Sequence, residues 1–342
     1  MTKRNGTGTV LCFPRRAPVT SEVFNSYWWF ATERQAIFNR RLNGDQAPWT
    51  EDDILSTFRF TNAYRASDRV SQYLIRSVIY SGSYSPRDVV FRVILFKLFN
   101  KIETWELLNA KLGPITYSTY RLEDYDRILT DAMRVGTRIY SSAYIMPSGG
   151  GRYPRKHRAH LCLLESMMRD DLPSKLASCA TMKHAFDLLR GYPMIGDFLA
   201  YQYVTDLNYT EVTNFNEMEF VMPGPGARSG INKCFPDLGD WSEEDVLRWV
   251  TEHQQLEFSK RQLEFKSLWG RPLQLIDCQN LFCEIDKYAR VRFPSISGRL
   301  QRTRIKRRFA ENSTAIQYWY PPKWGINAAI KNDLSLARTA SG

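Results

Sequence analysis

Metal-ligand and disulfide spacings are missing from this sequence. Its six cysteines (Cys12, Cys162, Cys179, Cys234, Cys278 and Cys283) include no C-x-x-C pair, and only four histidines accompany them. A zinc or iron–sulfur site is therefore not expected, and no metal ligand is nominated. Reduced, buried thiols in a cytoplasmic protein are the expectation. No apolar run reaches the ~20 residues of a membrane span. The N-terminal MTKRNGTGTVLCFPRR has charge but too short an apolar stretch for a signal peptide, so no membrane partner is expected. The phosphate loop G-x-x-x-x-G-K-[ST] does not occur in the chain. Alternating strands of useful length and internal repeats are absent as well.

The pattern that is present is helical. Hydrophobic residues make up 43% and aromatics 13% of 342 residues, enough for a large core. Phe24, Trp28, Ala31, Phe38 and Leu42 fall on one stripe of residues 21–42, with Thr20 or Ser21 to cap the start and Gly44 to end it. Ser85-Pro86-Arg87-Asp88 opens a mostly apolar helix, or helix pair, over 85–112. Further helices are expected at about 122–135, 157–170, 174–190, 196–206, 242–265 and 273–291. The Gly-rich loop at 149–152 and residues 204–240 read as irregular. The expected fold class is all-α. The expected organisation is a basic flexible arm (1–20), a helical body (21–295) and a basic, partly disordered tail (296–342).

The net charge of +11 sits at the ends. Lys3, Arg4, Arg15 and Arg16 have no acid among residues 1–16, and RLQRTRIKRR at 299–308 carries six bases and no acid. The stretch 17–298 is neutral overall. Such arms supply salt-dependent attraction to nucleic acid, or are simply solvated tails.

Two turns suit phosphate. LRGYPMIGDFLAYQYVTD (189–206) joins two helical patterns through Tyr192-Pro193-Met194-Ile195-Gly196. It resembles the helix-hairpin-helix element of DNA base-excision glycosylases. In that element the N-terminal N–H groups of the second helix face a phosphate oxygen. The plainer alternative is an ordinary αα-hairpin. The second turn is PGPGARSGI (223–231), whose glycines Gly224 and Gly226 favour an anion-binding nest with Arg228 as a further donor. The alternative there is a Pro/Gly loop between helices. The candidate DNA-binding residues are Pro193, Ile195, Gly196, Gly224, Gly226 and Arg228.

Candidates for chemistry come from three places. Glu217 and Glu219 follow the hairpin by about twenty residues, the offset of the catalytic acid in those glycosylases. Glutamate replaces their aspartate, and Phe198 stands where their lysine would. In the helix from about 273, Asp277, Asn280 and Glu284 share one face between apolar flanks. A carboxylate there would have a raised pKa and could serve as a base. Glu33 with Arg34, Arg65 with Asp68 and Arg69, and Asn100 with Lys101 and Glu103 are charged residues in apolar surroundings, which need internal ion pairs or a function. The nominated catalytic set is Asp277, Asn280, Glu219, Lys101, Arg65 and Arg69. Asp277 and Asn280 are expected to share a pocket with the 65–69 and 100–103 segments.

Seven stretches together resemble a known family. They are YWWFATERQAIFNRR, FRFTNAYRASDRVSQYLIR, FKLFNKIETWELL, YSSAYIMP, YPMIGDFLAYQYVTDLNY, EMEFVMPGPGARSGI and LWGRPLQLIDCQNLFCEIDKYARV. The chain is similar, over about Phe24 to Arg292, to the helical domain of 5-hydroxymethyldeoxyuridine DNA kinases. That group is allied with the alpha-glutamyl/putrescinyl thymine pyrophosphorylases. The resemblance implies a glycosylase-like fold and DNA base hypermodification in a bacterial or phage-infected cell. In that chemistry, 5-hydroxymethyluracil in DNA is phosphorylated and an amine or amino acid then displaces the activated group. It implies a transferase with DNA as partner, and an amine, amino acid or nucleoside triphosphate as co-substrate. Because the family's kinase name belongs to a P-loop domain not found in this sequence, a separate P-loop kinase is an expected partner. The alternatives are the kinase step itself and a non-catalytic DNA-binding helical subunit.

Overall fold

The computed structural model describes residues 15–144, 146–151, 153–311 and 317–330. Fourteen α-helices are described, with no strand ladder among the described residues; three isolated β-bridges are the only extended pairing there. In chain order the helices are α1 (Glu22–Asn43), α2 (Asp53–Thr57), α3 (Arg69–Tyr73, continued by a wider turn over Leu74–Ile79), α4 (Pro86–Phe99) and α5 (Ile102–Leu112). They continue with α6 (Leu122–Arg134), α7 (Lys156–Arg169), α8 (Leu172–Ala177), α9 (Met182–Arg190) and α10 (Asp197–Leu207). The last are α11 (Pro225–Cys234), α12 (Glu243–Glu252), α13 (Gln254–Lys260) and α14 (Leu275–Arg292). The all-α expectation holds.

Local signals explain most boundaries. Ser21 accepts the Val23 N–H at 3.1 Å, and Gly44 ends α1 at φ 84°, where a side chain is disfavoured. Ser85 accepts from Asp88 N–H, and Ser242 with Asp245 closes a reciprocal capping box. The 85–112 segment is two helices because Asn100 turns left-handed at φ 47°. Helix α4 is buried on nearly every side, from Val90 to Phe99. Helices α1 and α14 face each other through stacked Tyr27 and Phe282, 4.4 Å apart.

Residues 225–234 form a helix, where the sequence reading expected a nest in an irregular stretch. The glycines serve packing. A Cβ on Gly230 would lie 1.9 Å from the Phe282 carbonyl oxygen, and one on Gly226 would lie 3.0 Å from Cys283 Sγ. Helix α11 thus presses its backbone onto α14. Gly230→Ala is expected to cost about 1–3 kcal/mol through overpacking, seen as a lower midpoint in urea unfolding.

At both ends the described residues touch the helical body. Lys3 and Arg4 lie outside the described residues. Arg15 and Arg16 are tied down by Asp245 and Asp237, each at 2.6 Å, and Val19 bridges to Asp237. Residues 307–309 run antiparallel to 57–59: Arg59 N–H donates to Arg307, and Phe309 N–H to Thr57. Residues 317–330 are part of the body. Tyr320 is fully buried, its hydroxyl 2.8 Å from Ser67 Oγ, and Ile330 is buried as well. An aromatic cluster of Tyr320, Trp324 and Trp269 supplied the apolar area that a solvated tail would lack.

Candidate nucleic-acid interface and cavity

Helices α9 and α10 are joined by the short turn 191–196, which both the helix-hairpin-helix reading and the plainer αα-hairpin expect. Helix α9 ends at Gly191, Ile195 tucks into the core, and Pro193 and Gly196 remain exposed. Met194, at φ 67°, takes the left-handed position of the turn. Gly196 is the N-cap of α10 and supplies no side-chain cap. Gly224 is likewise the uncapped N-cap of α11. The two turns touch: a Cβ on Gly224 would lie 2.8 Å from the Phe198 ring in the first turn of α10. The two helix starts lie side by side, but only that of α10 is open: Gly224 is buried under Phe198, Pro225 has no N–H, and the Ala227 N–H is taken by the Cys283 thiol, so the anion-binding nest expected at Gly224 and Gly226 is not formed. Arg228 is half engaged, donating to the Pro223 carbonyl at 3.0 Å and lying 3.6 Å from Glu243. Asp197 pairs with Arg190 across the hairpin.

Gly196 has φ −86°, and nothing lies within 4 Å of an added Cβ. Gly196→Val is thus expected to leave folding intact but to keep a phosphate off the α10 N-terminus. One charge-assisted hydrogen bond is worth about 1.5–3 kcal/mol, so DNA affinity should fall on the order of tenfold or more in a binding titration at moderate salt. Unchanged affinity would leave the hairpin a purely structural turn.

Behind this surface lies a closed charge cluster. Arg65 Nη1 donates to Asp206 Oδ1 at 2.6 Å and to the Tyr209 hydroxyl at 2.9 Å. Its other nitrogens reach Gln202 Oε1. Lys97 Nζ lies 2.8 Å from Asp206 Oδ2, and all three charged groups are buried. Burial alone would push the Asp206 carboxyl up, but Arg65 and Lys97 outweigh it and hold the group below its ordinary range. Burial lowers Lys97, whose ammonium also sits under the Tyr144 ring at 4.4 Å. Tyr144 in turn stacks on Phe198 of the hairpin.

The shared pocket expected for Asp277, Asn280, Arg65 and Lys101 is not formed. Asp277 meets Arg65 only through the backbone: Oδ1 accepts Arg65 N–H at 2.8 Å and Oδ2 accepts Gln274 N–H at 3.0 Å. With Gln274 it forms the capping box of α14, and burial raises its carboxyl to about 6. Asn280 accepts from Gln279 on its own helix. Lys101 pairs with Glu103 at 3.3 Å near the surface, and Arg69 lies 3.6 Å from the same carboxylate. Glu217 is held by Arg271 at 2.7 Å and the Trp324 indole at 3.1 Å. Glu219 is half-buried, and its backbone carbonyl accepts from Arg248. The lysine buried beside Arg65 is Lys97, not Lys101, and a lysine inside the apolar run of α4 was the available signal.

The structure unites the two N-terminal clusters in part. Arg34 from the first and Asp68 and Arg69 from the second, with Asn62, line a cavity of about 590 Å3, within the roughly 300–1,000 Å3 typical of small-molecule sites, while Glu33 and Arg65 lie outside its lining. Arg34, Arg41, Arg59, Arg69 and Arg308 line it against only two acids, Asp68 and Glu311. Trp49, Phe58, Phe60, Phe309 and Tyr318 add flat apolar faces. Arg34 donates to the Thr61 carbonyl at 2.9 Å and to Asn62 Oδ1 at 3.2 Å. Asp68 Oδ1 accepts Asn62 N–H at 2.8 Å. Burial, helped by nearby Glu284, raises the Asp68 carboxyl to about 7 although the Asn62 N–H, Arg34 and Arg65 oppose the shift. A carboxylate poised at that value can take a proton near neutral pH.

Comparison with known proteins agrees with the motifs. A 5-hmdU DNA kinase of Bacillus phage SP10 is 28% identical over 298 residues, covering 80% of this chain and 46% of the relative. The chain thus spans about half the length of that curated relative. No solved structure matches the chain. The family of 5-hmdU DNA kinase helical domains matches residues 21–298, which include the hairpin, α11, α14 and all but the C-terminal wall of the cavity. The chain belongs to the 5-hmdU DNA kinase helical-domain family.

Proposed function

We propose that this chain acts on 5-hydroxymethyluracil in DNA, or on its phosphorylated derivative, as a transferase that replaces a group on the base's 5-methylene. The observation that carries this reading is the Arg-lined cavity with Asp68 in its wall, in a chain of this family. The open N-terminus of α10 would hold the DNA backbone while the base leaves the stack. Extrusion costs a few kcal/mol, which phosphate contacts and stacking on an aromatic wall, about 1–3 kcal/mol per base, offset. In the displacement the nitrogen of an amine or amino acid bonds to the 5-methylene carbon. The carbon–oxygen bond to phosphate breaks, its electron pair leaves with the phosphate, and the amine proton passes to Asp68. Arginines around the cavity stabilise the departing charge.

A second reading has one observation in its favour, the name of the phage relative, more than half of which lies outside the aligned span. In that reading the helical chain presents the base to a separate phosphoryl-transferring domain and makes no bond itself. Mass analysis of digested nucleosides separates the two. The chain is incubated with 5-hydroxymethyluracil DNA plus ATP, and with 5-phosphomethyluracil DNA plus a panel of amines and amino acids. The displacement reading expects an amine-bearing nucleoside only in the second mixture. A phosphorylated nucleoside in the first would make the chain itself the kinase, and unchanged nucleosides in both would support the presenting role.

A further inference from the structure

Among the described residues, the buried arginines and lysines other than Arg34 are matched by acceptors. Arg65 and Lys97 share Asp206, and Lys233 lies 3.3 Å from Asp286. Arg92, 2% exposed and without a carboxylate, donates through all three nitrogens to Val78, Ile115, Ser77 and Ser81, and lies over the Tyr84 and Trp105 rings. Arg34 is the exception. It is 8% exposed, yet among the described residues it has no carboxylate at ion-pair distance and no aromatic ring over its guanidinium. Its two bonds go to neutral oxygens, and Nη1 has no partner among the described residues. A guanidinium carries five N–H donors, and burying its charge without a counter-ion is costly. Burial lowers its pKa, the direction of an unmatched cation, with Asp68 and Glu284 opposing. This side chain lines the cavity.

The rest of the wall completes the argument. Arg59 and Arg308 are exposed on the cavity rim and make no side-chain bond among the described residues. Their backbones are locked together by the bridge between 57–59 and 307–309. The surplus of guanidinium over carboxylate calls for a dianion with several acceptor oxygens. A continuous DNA backbone would lie across the rim. Only a protruding terminal group reaches Arg34, which is far more buried than Arg59 or Arg308.

We propose that the cavity binds a terminal phosphoryl group between Arg34 and the rim residues Arg59 and Arg308. This site stands on the cavity's own geometry and not on the transferase reading above. Arg308 also gives the basic C-terminal segment, which lies beyond the family-matched residues, a place in the site rather than a general role in attracting DNA.

Isothermal titration of the full chain with inorganic phosphate and pyrophosphate, at fixed ionic strength, tests the site. The proposal expects one saturable site, at least tenfold weaker in the Arg59→Ala/Arg308→Ala double variant. Both residues are exposed, so folding is not threatened, and a matching melting temperature confirms it. An unmodified oligonucleotide should fail to displace pyrophosphate. No binding, binding that the double variant leaves unchanged, or displacement by the unmodified oligonucleotide would overturn the proposal. Pyrophosphate binding without turnover of phosphorylated DNA would sink the transferase reading and spare the site. Turnover of 5-hydroxymethyluracil DNA without pyrophosphate binding would do the reverse.

Discussion

Asp68→Asn is expected to lower single-turnover rates on phosphorylated DNA by about 10²–10⁴-fold, the usual contribution of a positioned proton acceptor. The wild-type rate should climb with pH and level off above about 7, because the carboxyl must be ionised to accept the amine proton and burial raises it to about 7. In the variant that limb should vanish. Asparagine keeps an oxygen for the Asn62 N–H and resembles the neutral carboxyl that burial favours, so stability at pH 8 should not fall. Pyrophosphate affinity should hold or improve, since an acid has left the Arg-rich wall. A variant with full activity, or one that loses DNA and pyrophosphate binding together with activity, would remove Asp68 from the chemistry.

Asp206→Asn should cost about 3–5 kcal/mol in urea unfolding, the range for breaking a buried ion pair from one side, because Arg65 and Lys97 would both stay buried without their carboxylate. The pH dependence has a definite sign. The Asp206 carboxyl is lower in the folded protein than in the unfolded chain, where it is about 3.9. Its stabilisation is therefore complete at neutral pH and is lost as pH falls below about 4 through the folded value. The variant should flatten that acid limb. A loss below 1 kcal/mol would mean that the cluster is hydrated and open, as a catalytic site would be.

These two residues also mark how far the sequence can be read. Capped amphipathic helices such as α1 and α12 follow from neighbours three and four positions apart, so local pattern finds them. The hairpin at 191–196 was legible for the same reason. Helix α11 was not, because Pro223 to Gly230 has the composition of a turn, and its glycines are needed by α14, more than fifty residues away. Asp277 drew attention as an acid on a half-apolar face, but Gln274 three residues earlier makes it a cap. Asp206 was passed over inside YQYVTDL, where nothing local reveals two cations from other helices. The cavity joins Arg34, Asp68 and Arg308, a constellation set by tertiary packing alone. The segment read as a tail carries Tyr318 to Trp324, and that aromatic content, weighed against its charge, was the missed signal.

The most direct test of the central claim is a crystal structure of the full chain with DNA carrying a single 5-phosphomethyluracil, without amine. The account predicts the base out of the stack, its phosphate within hydrogen-bond distance of Arg34, its 5-methylene facing Asp68, and a backbone phosphate at the N-terminus of α10. A base that stays stacked, or one extruded to a place away from Arg34 and Asp68, would contradict it.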